Sequence, residues 1–341
     1  MSSIVTFGEI LLRLTTPCKS RFVQANKFNA TYGGAEANVS VTLAGFGMNS
    51  LFVTRLPDNA IGDAALQMLR KYGVNTDFIL RGGDRLGIYF LESGAGLRSS
   101  KVIYDRAGSS VSQISPDDID WAQLFAGKKW FHWSGITPAL GDLPAKALTK
   151  ACKAAKESGL IVSCDLNFRA KLWTEIEAQS KMIPLMEYVD ICIANEEHAR
   201  KCLNFDTESA GNTSTRVEQA KSIAIDLKNK FEFESVVMTL RETFSSSRSG
   251  WSAILHDDKD CREPVRSTRY EFDITDRVGG GDAFAAGLIY GLLNKNNTKD
   301  SLEFAAASCC LKHSIPGDFN LVSVKEVENL VKNGSGAGME R

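Results

Sequence analysis

The sequence predicts an α/β protein in which a doubly wound, mainly parallel sheet carries a small β-sheet lid. From residue 129 onwards, apolar β runs alternate with helical segments, which is typical of a parallel sheet wrapped by helices. Between residues 78 and 105, two β runs flank the turn S-G-A-G-L-R-S-S, which predicts a hairpin. We therefore expect one domain over residues 1–341, with a β lid formed from about 8–30 and 85–106.

The elements are predicted from apolar runs and from apolar spacing at helical period. Polar or glycine residues mark where the helices begin and end, as Gly47 and Gly73 do for the first two helices. The predicted strands cover residues 4–14, 51–55, 87–92, 101–105, 129–134, 160–165, 189–194, 235–240 and 251–255. The predicted helices cover residues 35–46, 62–72, 144–158, 175–188, 216–230, 282–293, 299–313 and 323–332.

Composition narrows the classes of function. The formal net charge is −1, so no basic surplus favours binding to nucleic acid or to an anionic membrane. No apolar run approaches the roughly 20 residues that span a bilayer, and the N-terminus lacks the features of a signal peptide. The eight cysteines are scattered, and Cys164, Cys192, Cys309 and Cys310 lie in apolar runs and are expected to be buried thiols. We therefore expect a cytoplasmic protein with small-molecule partners.

The strongest chemical signal is the glycine run Gly279, Gly280 and Gly281, followed by Asp282 and a helical pattern. Amide groups at the start of a helix bind anions, with the positive end of the helix dipole behind them. An aspartate at such a site fits a catalytic base that takes a proton from a substrate hydroxyl while the amides hold the phosphate. The alternative is that Asp282 only caps the helix.

A second glycine pair, Gly33-Gly34, is followed by Asn38. The pair exposes backbone amides, and an asparagine one helical turn later can donate to and accept from sugar hydroxyls. A plain turn before a helix explains the same residues.

Together these stretches, Y-G-G-A-E-A-N and D-R-V-G-G-G-D-A-F-A-A-G, resemble the two signatures of the PfkB, or ribokinase-like, carbohydrate kinases. The stretches Y-D-R-A-G-S-S, D-L-N-F-R, N-E-E and L-K-H-S-I-P-G-D-F are similar to those of its 2-keto-3-deoxygluconate kinase branch. The resemblance implies a ribokinase-like fold, ATP and Mg²⁺ as cofactors, phosphorylation of 2-keto-3-deoxygluconate, and a homo-oligomer paired through the lid. A kinase of a neutral sugar such as fructose or ribose, and a catalytically silent sugar-binding regulator, stay open.

The resemblance also implies the substrate site. A sugar acid needs cations, and Arg106 and Arg169 can each bind a carboxylate through two hydrogen bonds. Arg106 could instead form a surface salt bridge with Asp105 or a neighbouring residue, and Arg169 could meet the transferring phosphate. Aromatic side chains would close over the sugar and an aspartate would meet its hydroxyls. The expected substrate-binding residues are Gly33, Gly34, Asn38, Tyr89, Tyr104, Arg106, Arg169 and Asp318.

The expected nucleotide-binding residues are Asn167, Asn195, Thr239, Arg241, Gly279 and Gly281. The sequence departs from the family twice here. His198 stands where the family carries an acid that orients Mg²⁺ through water, so either Glu197 takes over or the metal is held by ATP phosphates and water. Arg241 replaces a glycine and could reach an ATP phosphate or be a solvated charge. The loop at 245–250 is expected to border the nucleotide.

Overall fold

The computed structural model describes residues 3–206, 215–257 and 263–334. Within these ranges the strands are β1 (Ser3–Phe7), β2 (Leu11–Thr15), β3 (Asn29–Gly33), β4 (Asn49–Leu56), β5 (Ile79–Arg81), β6 (Ile88–Glu92), β7 (Lys101–Asp105), β8 (Trp130–Ser134), β9 (Ile161–Asp165), β10 (Ile191–Ala194), β11 (Ser235–Ser245), β12 (Arg248–Asp257), β13 (Val265–Arg266) and β14 (Tyr270–Asp273). The α-helices are α1 (Ala35–Gly45), α2 (Ala60–Lys71), α3 (Trp121–Phe125), α4 (Ile136–Ala139), α5 (Asp142–Glu157), α6 (Glu175–Leu185), α7 (Glu196–Leu203), α8 (Arg216–Phe231), α9 (Gly280–Asn294), α10 (Thr298–Lys312) and α11 (Val324–Asn333).

The large sheet has the strand order β13-β12-β11-β10-β9-β8-β1-β4-β5, with β14 also paired to β12. The strands from β11 to β5 run parallel, and β12 is antiparallel to its neighbours. The predicted mainly parallel sheet is therefore confirmed. Trp130 packs in the core on one face of this sheet, and Phe131 and Trp133 pack in the core on the other, as the alternation of side chains along a strand requires.

The predicted single strand over residues 4–14 is wrong. The structure divides it into β1, in the large sheet, and β2, in a separate sheet, with Gly8, Glu9 and Ile10 between them. A β-carbon at Gly8 would lie 1.9 Å from the Glu36 carboxylate, so only glycine fits at this crossing. The apolar run continues through the break, and for that reason the sequence pattern does not reveal it.

The small sheet has the order β3-β2-β6-β7. Strands β6 and β7 pair antiparallel, so the predicted hairpin is confirmed, while β2 and β6 pair parallel. The register places Arg13, Tyr89 and Tyr104 side by side on three neighbouring strands. Strand β3, in a stretch predicted as loop and turn, forms the edge beside β2.

Cys164, Cys192, Cys309 and Cys310 are buried, as predicted. Cys261 lies outside the described residues. No helix in the described ranges has the length and apolar character needed to cross a bilayer.

Candidate active site

A cavity of about 690 Å³ lies at the carboxyl ends of the parallel strands β9 and β10 and beside Thr239 and Arg241 of β11. The inner face of the small sheet borders it through Tyr89 and Tyr104. Ligands of open α/β sheets bind at this edge, so the position itself indicates a functional site. All the residues predicted for catalysis and binding line this one cavity: Gly33, Gly34, Asn38, Tyr89, Tyr104, Arg106, Asn167, Arg169, Asn195, Thr239, Arg241, Gly279, Gly280, Gly281, Asp282 and Asp318.

The loop at 245–250 lies next to the cavity through Arg277, which lines the cavity and donates to the carbonyls of Ser245 and Ser246, and its contact with a nucleotide stays a prediction. Residues 245–250 form the tip of the β11–β12 hairpin, and in the described chain they are not among the residues that line the cavity. Ser246 instead bonds to the turn between β6 and β7, where its amide donates to Gly96 and its hydroxyl to Arg98.

The glycine loop, residues 279–281, begins helix α9 as predicted. Gly279 is the N-cap, with a φ of +85°, and a β-carbon there would lie 2.0 Å from the Asp318 carbonyl oxygen. A β-carbon at Gly281 would have no atom within 4 Å. The first amides of a helix have no partner inside the helix, so the start of α9 offers free donors beside an open approach.

Asp282 lies beside this loop and accepts a hydrogen bond of 2.6 Å from the Asn38 side-chain amide. Asn38 in turn accepts from the Gly34 amide at 3.2 Å, so one asparagine joins the two glycine segments. The Asp282 side chain makes no cap bond, and the helix-cap alternative does not fit. Burial raises the pKa of Asp282 to about 6, against the bond from Asn38 and the charge of Arg169, which lower it. Its carboxylate is thus mainly ionised at neutral pH.

Arg106 is buried and forms an ion pair with Glu9, and its guanidinium lies 4.1 Å from the centre of the Tyr104 ring. The alternative of a salt bridge with Asp105 is wrong, because Asp105 pairs with Arg85. Nε and Nη2 of Arg106 are buried and have no protein partner. A buried donor without an acceptor is costly, so these two nitrogens favour a bound anion.

Asp318 forms part of the cavity wall, but its carboxylate is held by the protein. It accepts 2.7 Å hydrogen bonds from Arg13 and from the Tyr89 hydroxyl. The other terminal nitrogen of Arg13 donates to Asp276 at 2.5 Å. Contacts of Asp318 and Tyr89 with sugar hydroxyls stay a prediction. Sequence analysis missed Arg13, although an arginine inside the apolar strand L-L-R-L is a signal for a buried charge.

Helix α7 begins directly after Asn195, whose side chain accepts from the His198 amide at 2.8 Å. Burial lowers the pKa of His198 to about 4, so its imidazole is neutral at physiological pH. Glu197 bonds to Lys201 at 2.7 Å, and Glu196 lies 3.4 Å from Arg216. Both acids next to His198 are therefore already paired with basic side chains.

Arg241 and Arg277 line the same side of the cavity, and neither is in an ion pair with another described residue. Burial lowers the pKa of Arg241, and the nearby charge of Arg277 lowers it further. Among the described residues, Arg277 donates to two backbone carbonyls, those of Ser245 and Ser246. Two neighbouring cations without a carboxylate partner favour a strongly anionic ligand.

The structure adds three acids that sequence analysis did not select. Glu9 pairs with Arg106, and Asp165 lines the cavity at the end of β9. Burial raises the pKa of Asp165 to about 7, and Asp282 adds to this rise. Glu36 lies against Gly8, accepts hydrogen bonds from the amide and hydroxyl of Ser134, and has its pKa raised by burial to about 8. An acid inside the apolar helix A-E-A-N-V-S-V was the signal for the last of these.

Solved structures share this fold. A 2-dehydro-3-deoxygluconokinase from Thermotoga maritima superposes with a TM-score of 0.93, is 50% identical and is matched over 98% of this chain and 100% of that one. A fructokinase from Xylella fastidiosa, solved with bound ATP, superposes with a TM-score of 0.76 at 20% identity, over 97% of this chain and 98% of that one. The fold is therefore ribokinase-like, as predicted.

The profile of the pfkB family carbohydrate kinases matches residues 1–319, and the chain belongs to this family. A 2-dehydro-3-deoxygalactonokinase from Haloferax volcanii is 31% identical, covering 100% of this chain and 99% of the relative. A 2-dehydro-3-deoxygluconokinase from Thermoproteus tenax is 27% identical, covering 97% and 95%. The family that the two glycine signatures predict is confirmed.

Proposed function

We propose that this kinase transfers the γ-phosphoryl group of ATP to the terminal hydroxyl of 2-keto-3-deoxygluconate, also called 2-dehydro-3-deoxygluconate. The products are the 6-phosphate and ADP. One observation carries the proposal: Asp282, the free amides at the start of α9 and a buried arginine with two unpartnered donors share one cavity. The relatives named for 2-dehydro-3-deoxy sugar acids support it.

The reaction needs a base and a site for developing charge. The Asp282 carboxylate, fixed by Asn38, takes the proton of the sugar hydroxyl. The amides at the start of α9 stabilise the negative charge on the transferred group, which is usually the largest catalytic contribution. Nε and Nη2 of Arg106 bind the sugar-acid carboxylate, and Tyr104 covers the sugar on the side of the small sheet.

Arg241 and Arg277 support a nucleotide, because neither is in an ion pair with a described residue. The charge of Arg169 lowers the pKa of both Glu9 and Asp282, so Arg169 fits either the sugar-acid carboxylate or the transferring phosphate. Mg²⁺ neutralises phosphate charge when it is bound with ATP. Within the described ranges no group of three or more acidic, histidine or cysteine side chains could hold a metal. Since Mg²⁺ keeps several waters and binds substrate phosphates, this arrangement fits an ion carried by the nucleotide, and Asp165, which lines the cavity, is a candidate acid for its waters.

Asp282→Asn tests the central assignment. The variant keeps the side-chain size, so the fold and the affinity for ATP should be retained while kcat falls at least about a hundredfold, the low end for loss of a general base. Steady-state kinetics with ATP and 2-keto-3-deoxygluconate measure kcat, and calorimetry measures the affinity for ATP. Near-normal turnover would remove Asp282 as the base.

A kinase of a neutral sugar is the second candidate, favoured only by the pairing of Arg106 with Glu9, which already neutralises the arginine. Arg106→Ala separates the two. If Arg106 meets a carboxylate, kcat/KM for 2-keto-3-deoxygluconate should fall by about 1.5–3 kcal/mol, typical of a charged hydrogen bond. The control is the same ratio for fructose and ribose, which should change little.

An assay of ATP consumption across sugars and sugar acids also tests a silent regulator, which would consume no ATP with any of them. The panel includes the 2-keto-3-deoxy acids of both gluconate and galactonate. A preference for one of the two measures the selectivity that the relatives divide between them.

The small sheet is proposed to act as a lid and as the contact of a homo-oligomer. Leu14, Phe90 and Ile103 lie in one cross-strand row on its outer face, and Ile103 is 53% exposed. Sedimentation velocity should show a dimer or a larger assembly, and Ile103→Asp should shift it towards the monomer. A monomeric wild type at micromolar concentration would contradict the proposed oligomer contact.

The need for ATP supports placement of the protein in the cytoplasm.

A further inference from the structure

Lys312, the last residue of α10, has no solvent-exposed surface. Its ammonium donates to the Ile315 carbonyl at 3.1 Å and forms no ion pair with a described residue at salt-bridge distance. Lysine is almost never fully buried unless it is paired, since removing its charge from water is costly. Nothing in the reaction described above uses this group.

The side chain of Lys312 lies against the glycine loop. A β-carbon at Gly279 would stand 3.2 Å from its Cε, and a β-carbon at Gly280 would stand 2.3 Å from the ring of His313. The His313 carbonyl accepts from the amide of Thr275 at 2.8 Å. The end of α10 is thus fixed directly behind the segment that leads into α9.

Two helix ends of opposite polarity therefore meet at the phosphate site. Helix α9 presents its positive N-terminus to the cavity, while α10 brings its negative C-terminus to the back of the same loop. An uncompensated C-terminus here would weaken the attraction of the loop for an anion. The ammonium of Lys312, bonded to the Ile315 carbonyl just after α10, opposes that negative end.

The charged groups around Lys312 are Arg13 and three aspartates, Asp276, Asp318 and Asp282. Burial lowers the pKa of Lys312, the three carboxylates raise it, and the charge of Arg13 lowers it. Asp276 and Asp318 already have Arg13 as their cationic partner. Lys312 therefore has no dedicated partner among the described residues, and its charge also lowers the pKa of Asp282.

We propose that Lys312 is a positioning residue for phosphoryl transfer: its fixed charge behind Gly279 cancels the α10 terminus and keeps the α9 amides attractive to the transferred group. The inference rests on the proposed function. Lys312 does not touch the substrate, so its effect belongs to the charged transition state more than to the binding of either substrate.

The experiment compares neutral and charged replacements. Lys312→Met and Lys312→Gln should lower kcat at least about tenfold, with KM for sugar and for ATP within about threefold, because a preorganised charge acts where charge develops. Lys312→Arg keeps the charge and should restore a large part of kcat. The glutamine variant keeps a donor for the Ile315 carbonyl and is decisive if the methionine variant does not fold.

Lys295 provides the matched control. It follows the C-terminus of α9, bonds to Glu328 at 2.6 Å and does not line the cavity. Lys295→Met should lower the melting temperature but leave kcat within twofold. A second measurement compares two affinities, that for ADP together with aluminium fluoride, which mimics the transferred group, and that for ADP alone. Loss of the Lys312 charge should weaken the binding of ADP with aluminium fluoride and leave the binding of ADP alone unchanged.

The results of these experiments distinguish a failure of the proposed function from a failure of the proposed role of Lys312. A wild type that phosphorylates no sugar acid contradicts the proposed function, whatever the variants do. An active wild type with neutral Lys312 variants of normal kcat overturns the role of Lys312. The role is also overturned if arginine loses as much activity as methionine, or if ADP alone binds more weakly, because both results indicate a packing defect.

Discussion

The two glycine segments of the cavity differ at one position. At Gly33-Gly34 the space of a side chain is taken by the protein, since β-carbons there would lie 2.0 Å from the Asp318 carboxylate and from the Glu9 carbonyl. At Gly279 and Gly280 the protein also fills this space, but at Gly281 it is open. All five residues are glycines in the sequence, so only the surroundings distinguish a glycine required for packing from one that leaves room for a ligand.

The open space at Gly281 indicates where a ligand can approach the protein. The Gly33-Gly34 turn is closed partly by Asp318, whose carboxylate is held by Arg13 and Tyr89 of the small sheet. Gly281 lines the same cavity as Arg241 and Arg277, neither of which is in an ion pair with a residue that the structure describes. We therefore expect substitutions at Gly33 and Gly34 to lower stability, and a substitution at Gly281 to impair the binding or transfer of phosphate.

Gly33→Ala gives the largest expected effect. Its methyl group would overlap the Asp318 carboxylate and disturb the ion pair with Arg13. Overpacking of this kind should lower the free energy of unfolding by about 3 kcal/mol. Chemical denaturation measures it, and Gly45→Ala is the control, because a β-carbon at Gly45 in α1 has no atom within 4 Å. Equal stability of the two variants would contradict the claim that the protein leaves no space for a side chain at Gly33.

Gly281→Ala should do the reverse. Alanine favours a helix over glycine by up to about 1 kcal/mol, so the melting temperature should stay constant or rise. The methyl group would stand in the open approach to the α9 amides, and kcat/KM for ATP should fall at least about tenfold, since the lost contacts act on developing charge. Thermal unfolding and steady-state kinetics test both parts. Unchanged kinetics would show that the phosphate does not approach Gly281.

Sequence patterns predicted the elements well where local signals are strong. The helix over 216–230 is observed as Arg216–Phe231, because its N-cap and apolar period are both local properties. The break at Gly8-Glu9-Ile10 was not predictable in this way, since it depends on the contact between Gly8 and the distant Glu36.

The candidate site shows the same limit. Asp282 and Asn38 were predicted to face one cavity from their glycine neighbours. Their mutual hydrogen bond, across 244 positions in sequence, follows only from the packing of α1 against α9. The sequence indicated that Arg106 would supply a cation to the site. The ion pair between Arg106 and Glu9 depends on the tertiary structure and was not predicted.

The smallest expected effect concerns the link between the two segments. Asn38 donates to Asp282, a bond that favours the ionised carboxylate and lowers its pKa, against burial, which raises it to about 6. A base acts when it is deprotonated, so wild-type kcat should fall as the pH drops below about 6. Asn38→Ala removes the bond, and the acidic limb of the profile should move upwards by about half to one pH unit, as expected for one hydrogen bond to a carboxylate. The pH dependence of kcat at saturating sugar measures this shift, because saturation removes any change in sugar binding.

Asn59→Ala is the control, because it removes an asparagine hydrogen bond outside the cavity. Asn59 caps α2, so its loss should lower stability without moving the acidic limb. An acidic limb that stays in place in Asn38→Ala would mean that the group titrating in the profile is not Asp282.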